Sequence, residues 1–147
     1  MSVASLCGPT CGVPLFLHVL GATVLFGAVL AVTTLAFAAH RTVVHAALLR
    51  RLAFLLTLVA VWPAYIVMRV GAQWVLSHEG LDDNAPGWVG VGFAVSDFGI
   101  VLLLVLTILG LLSLRRSRAG TWVAGLAALY LVALAVAWFA ISAKPGA

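Results

Sequence analysis

Apolar positions run almost unbroken along this chain in four stretches, about 13–39, 52–76, 88–114 and 121–143, separated by short polar segments. None of the four alternates with a period of two. In hydrocarbon every backbone N–H and C=O must be paired within its own segment or within a closed barrel, so non-alternating runs of more than 20 residues predict helices. At 1.5 Å per residue each run is long enough to cross a hydrocarbon core of about 30 Å. With connections this short, sequential helices become neighbours. The expected architecture is therefore all-α: a single membrane domain, residues 1–147, forming an antiparallel bundle of four transmembrane helices.

Composition agrees and narrows the function. The chain has 147 residues, 65% of them hydrophobic and 8% charged, and a mean hydropathy of +1.23, far from the balance of a soluble globular domain. The spans leave no room for a separate catalytic domain. A net charge of +4 would point to nucleic acid in a soluble protein, but here the basic residues sit between spans, where topology accounts for them. Arg41, Arg50 and Arg51 follow the first span and Arg115, Arg116 and Arg118 follow the third, whereas the middle connection and both tails hold only Lys144. The middle connection carries Glu79, Asp82 and Asp83 instead. The positive-inside rule then places both arginine clusters in the cytoplasm and both termini outside, as for a multi-pass protein of a cell membrane. The first run is too long for a signal-peptide h-region and lacks a basic n-region, so it is read as a true span. No internal repeat is visible.

Candidate inward faces follow from side-chain size. His18, Gly21, Leu25, Ala28, Val32 and Leu35 form one stripe of the first helix, with Ala22 beside it, and small residues there allow close helix approach. Ala124, Ala128, Leu131, Ala135, Trp138 and Ser142 form the corresponding stripe of the fourth. On the second helix the stripe is Leu58, Trp62, Tyr65, Arg69, Gln73 and Leu76, far more polar and aromatic than the others. Pro63 lies inside that helix, where it removes one ladder donor, leaves the carbonyl of Val59 without its normal partner and is expected to bend the helix.

Three helices place an ionisable group in one layer below the outer surface: His18, Arg69 and Asp97. An arginine or aspartate near the membrane centre costs about 2.5–3.5 kcal/mol on insertion scales, so Arg69 and Asp97 are expected to pair, with His18 available to share the carboxylate. One reading of this layer is structural, a clasp that fixes which helices touch, with Arg69 reaching toward the headgroups. The other is a binding site open to the outer leaflet. In that site Arg69 binds the acidic or polar group of a small lipid-derived ligand, Tyr65 and Gln73 orient it, Trp62 lines the floor, and His18 beside Asp97 tunes it with pH.

Cys7 and Cys11 form a C-x-x-x-C pair on the expected outer side, where an oxidising compartment favours a disulfide between them. The same thiols with His18 form a soft ligand set for copper. His18 is also the one histidine placed to hold a b-type haem, because His78 lies about 10 Å higher and His40 and His45 lie at the opposite surface. Glu79, Asp82 and Asp83, with Asn84, read as a solvated acidic loop or a weak hard-cation site. Trp74 and Trp88 sit where an outer aromatic belt is expected. No phosphate loop, Ser-His-Asp set or paired-carboxylate arrangement is present, so no catalytic residue and no cofactor is assigned.

The run Leu17-His18-Val19-Leu20-Gly21-Ala22, with Gly27, and the second-helix stretches Trp62-Pro63-Ala64-Tyr65 and Gln73-Trp74 resemble a group of small bacterial integral membrane proteins of unknown function. The first-helix histidine followed by small residues is also distantly similar to the membrane domain of copper resistance D proteins. The resemblance implies a bacterial inner-membrane location and points toward copper or haem, without supplying an activity. Three functions are open at this point. The first is a non-catalytic binding or accessory subunit, in a homo-oligomer or a larger membrane complex. The second is a haem or copper redox protein. The third is a small oligomeric transporter or proton-coupled carrier.

Overall fold

The computed structural model describes residues 12–79 and 87–143. Cys7, Cys11, Asp82, Asp83 and Asn84 lie outside the described residues, as do the side chains of His78, Glu79 and Trp88. The chain forms α1 (Gly12–Arg41), α2 (Ala46–Leu56), a π turn (Thr57–Val61), α3 (Trp62–Glu79), α4 (Gly87–Ser113) and α5 (Ser117–Ala143). α2, the π turn and α3 run on as one rod, which gives four helices long and apolar enough to cross a membrane. The protein is an all-α, four-helix, multi-pass membrane bundle. α1 packs on the second span and on α5, and α4 packs on α5 and on α2.

The helices are longer than the apolar runs, chiefly at the arginine-bearing end. α2 begins six residues ahead of the run expected at 52, so Arg50 and Arg51 stand on a helix and the connection shrinks to residues 42–45. Arg118 likewise sits in the first turn of α5. Positive charge at that end can reach water from a helix, so hydropathy alone marks the helix start too late.

Pro63 takes effect as a π turn. Without an N–H it cannot bond the Val59 carbonyl, and its ring would crowd that oxygen in a regular α-helix. One wider turn relieves both problems, and the Trp62 N–H reaches back five residues to the Thr57 carbonyl. The Thr57 hydroxyl, buried, donates to the Ala53 carbonyl at 2.9 Å.

The core is built on α1. Gly21, Leu25, Ala28 and Val32 of the expected stripe are buried, and its end residues His18 and Leu35 partly so. On α5 the buried face is Val123, Ala124, Ala127, Tyr130 and Ala137. That face is rotated by about one position from the expected stripe, because lipid and bundle interior are equally apolar and leave no contrast to read. Trp138 is half exposed and meets Phe26 of α1 edge-on, with ring centroids 5.8 Å apart. α3 divides its inner surface between two neighbours. Ala64, Met68 and Gly71 are buried, the last two against α1, while Trp62, Tyr65 and Arg69 reach toward α4.

Candidate functional site

The α1–α3 contact is a backbone-to-backbone approach through two glycines. A Cβ on Gly21 would lie 2.5 Å from the Met68 nitrogen, and one on Gly71 would lie 2.6 Å from the His18 nitrogen. At this crossing the His18 Nδ1–H donates to the Met68 carbonyl at 3.0 Å. A carbonyl only accepts, so Nδ1 carries the proton in this bond and Nε2 is left outside it. His18 therefore belongs to the α1–α3 contact, and its ring is bonded to Met68 rather than to Asp97.

The α3–α4 seam is built differently, from long side chains on successive turns of α3. Deepest is the Trp62 Nε1–H, which donates to the Thr107 hydroxyl at 2.9 Å, and that hydroxyl donates to the Leu103 carbonyl at 2.7 Å. One turn on, the buried Tyr65 hydroxyl donates to the Ser96 carbonyl at 2.9 Å, with the Trp62 ring edge-on beside it. One turn further, Arg69 Nη2 meets Asp97 Oδ1 at 2.5 Å, and its guanidinium carbon lies 4.7 Å from the centroid of the Phe93 ring. The pairing expected from the cost of isolated charges is present. Arg69 and Asp97 each lie eight residues inside the ends of their spans at Ser77 and Val89, about 12 Å below the surface at 1.5 Å per residue.

Several polar groups in and beside this seam are incompletely matched. Arg69 Nη1, Ser96 Oγ and Tyr130 Oη are buried without a hydrogen-bond partner. The Asp97 side chain is 63% exposed, against 30% for Arg69, so one edge of the ion pair faces whatever surrounds the bundle. Gln73, one turn above Arg69, is exposed. Among the described residues no three His, Cys, Asp or Glu side chains converge.

Phe93, Ser96 and Tyr130 were not expected at the site. Ser96 adjoins Asp97, which is a sequence signal of a kind. Tyr130 has a weaker one: Gly99, one turn from Ser96, where a Cβ would come within 2.9 Å of the phenol oxygen. The two tyrosines should respond differently to loss of their hydroxyls. Tyr65→Phe removes a made hydrogen bond and should cost about 1 kcal/mol, whereas Tyr130→Phe removes an unmatched buried hydroxyl and should be neutral or slightly stabilising. Unfolding of the detergent-solubilised variants checks this.

Comparison with family models, with curated proteins and with solved structures yields no match, so the reading of the site rests on its geometry.

Proposed function

We propose that the chain is a non-catalytic binding or accessory protein of the membrane, with the α3–α4 seam at Arg69 and Asp97 as its site. The observation that carries this reading is Arg69 Nη1, a buried donor with no acceptor beside a nitrogen already bound to Asp97. Buried donors are rarely left unmatched, and an intramembrane guanidinium is a functional marker. Because Asp97 already balances the charge, an uncharged acceptor such as an ester, amide or hydroxyl fits better than a further anion. The ligand is thus a small polar, lipid-derived molecule entering from the side on which Asp97 is exposed. Arg69 and Ser96 meet its polar group and Gln73 lies above them. Trp62 and Tyr65, whose polar atoms are engaged with α4, shape the wall. Native mass spectrometry in mild detergent tests this: the wild type should retain a small-molecule adduct that Arg69→Gln loses. A bare wild-type protein, or an adduct indifferent to that substitution, contradicts it.

A second reading, a haem or copper protein, is favoured by one observation. The Nδ1–H bond from His18 to a backbone carbonyl is the arrangement that orients a histidine for ligation through Nε2. A Soret band, or stoichiometric copper in the purified protein, would establish it, and their absence would remove it.

The arginine-bearing end belongs in the cytoplasm of a bacterial inner membrane, with both termini outside. On reduced intact cells a membrane-impermeant thiol reagent should label native Cys7 and should fail to label Ser117→Cys in a Cys7- and Cys11-free background. The reverse pattern inverts the topology.

A further inference from the structure

Six arginines gather at the end of the bundle remote from Asp97. Arg41 closes α1, Arg50 and Arg51 stand on α2, Arg115 and Arg116 lie between α4 and α5, and Arg118 is in the first turn of α5. Of the chain's four acids, Asp97 belongs to the other half, and Glu79, Asp82 and Asp83 fall in the sequence between the second and third apolar runs. Among the described residues none of the six arginines has an ion-pair partner. Membrane topology requires positive charge at one end, but it does not require that charge to turn inward. Arg50 does so. A crevice between α1, α2, α4 and α5 is lined in its depth by Ala36, Ala53, Leu106 and Val123 and carries His40 and Arg50 on its wall.

Gly120, in the first turn of α5, is where the Arg50 and His40 side chains converge. A Cβ there would stand 3.5 Å from Arg50 Cδ and 3.6 Å from His40 Cε1, so a larger side chain would compete for the space they share. The two hydroxyls lining the crevice donate within their own helices, Thr57 to Ala53 and Ser113 to Gly110. The Arg50 guanidinium and the His40 ring are then the groups free to bind, since among the described residues neither has a hydrogen-bond or ion-pair partner. The first turn of α5 holds no acid to repel an anion.

We propose that this crevice binds the phosphate of an anionic phospholipid headgroup. Three features select that occupant. The site lies at the end of four membrane-crossing helices, where headgroups sit. Its unmatched charge is cationic, and a guanidinium binds phosphate through a paired fork of N–H donors. Its interior is narrow, with room for about one water molecule, so it takes the headgroup oxygens while the acyl chains stay along the helices. Basic pockets between helices at this level are a recurring way of holding such lipids. The proposal is independent of the Arg69 site, which lies in the other half of the bundle.

The test uses delipidated protein in mild detergent, offered equimolar phosphatidylglycerol and phosphatidylcholine with identical acyl chains and read by native mass spectrometry. The wild type should retain phosphatidylglycerol in preference. Arg50→Gln should weaken that retention about fivefold, and Arg51→Gln, on the exposed face, should leave it within about twofold of wild type. Arg50→Lys keeps the charge but loses the fork; it should fall between wild type and Arg50→Gln, and carries the comparison if Arg50→Gln does not fold. Equal retention of the two lipids, or equal losses from Arg50→Gln and Arg51→Gln, would overturn the proposal. Displacement of the lipid by millimolar inorganic phosphate would overturn the assignment to a lipid.

Discussion

Gly21→Ala and Gly71→Ala are each expected to destabilise the bundle by about 2–3 kcal/mol, whereas Gly27→Ala on the same face-rich helix should be neutral or gain up to about 1 kcal/mol from helix propensity. The difference lies in what a methyl group would meet. At Gly21 and Gly71 the added carbon falls under 3.0 Å from backbone atoms of the opposite helix, and at Gly27 nothing lies within 4 Å. Backbone cannot swing aside as the end of a flexible side chain can. α1 and α3 would have to separate, and separation would also stretch the His18–Met68 bond. Helix association in lipid depends on such close packing, because no hydrophobic effect operates between helices there. Titration of micellar protein with a denaturing detergent, followed by loss of helicity, checks the result. Equal effects at the three glycines would show that the crossing is not tight.

The sequence makes some of this legible, for reasons that can be named. Length and hydropathy suffice for the four helices, because the bilayer imposes both. The α1 face was readable because its small residues coincide with its one histidine. The α5 face was not, since its lipid-facing and bundle-facing positions are alike in polarity. Arg69 and Asp97 announced their pairing through the cost of leaving either alone. Ser96 and Phe93 gave no comparable signal, because their part in the seam depends on which face α4 turns to α3. Gly21 and Gly71 look no different from Gly27 in the sequence, and only the crossing point distinguishes them. Pro63 marked a disturbance of the second helix without showing that a π turn would absorb it.

The two ends of the bundle also divide the chemistry. In one half the Asp97 carboxylate meets the Arg69 guanidinium. In the other, among the described residues, none of the six arginines meets an acid. The first arrangement favours an uncharged polar ligand and the second an anion, so lipid composition and Arg69 substitutions should perturb separate adducts.

The pairing of Arg69 with Asp97 is the claim on which the candidate site rests, and a double-mutant cycle in detergent tests it most directly. Asp97→Asn should cost about 2–3 kcal/mol, because it leaves the Arg69 cation without its counter-charge about 12 Å inside the span. Arg69→Ala should cost a similar amount by isolating the carboxylate. Combining them removes both charges, so Asp97→Asn with Arg69→Ala should cost less than Asp97→Asn alone. Phe93→Leu, which removes the ring beneath the guanidinium but leaves the ion pair, should lower stability by no more than about 1 kcal/mol. A double variant more stable than Asp97→Asn is the result the account predicts, and strictly additive losses from the two single substitutions would contradict it.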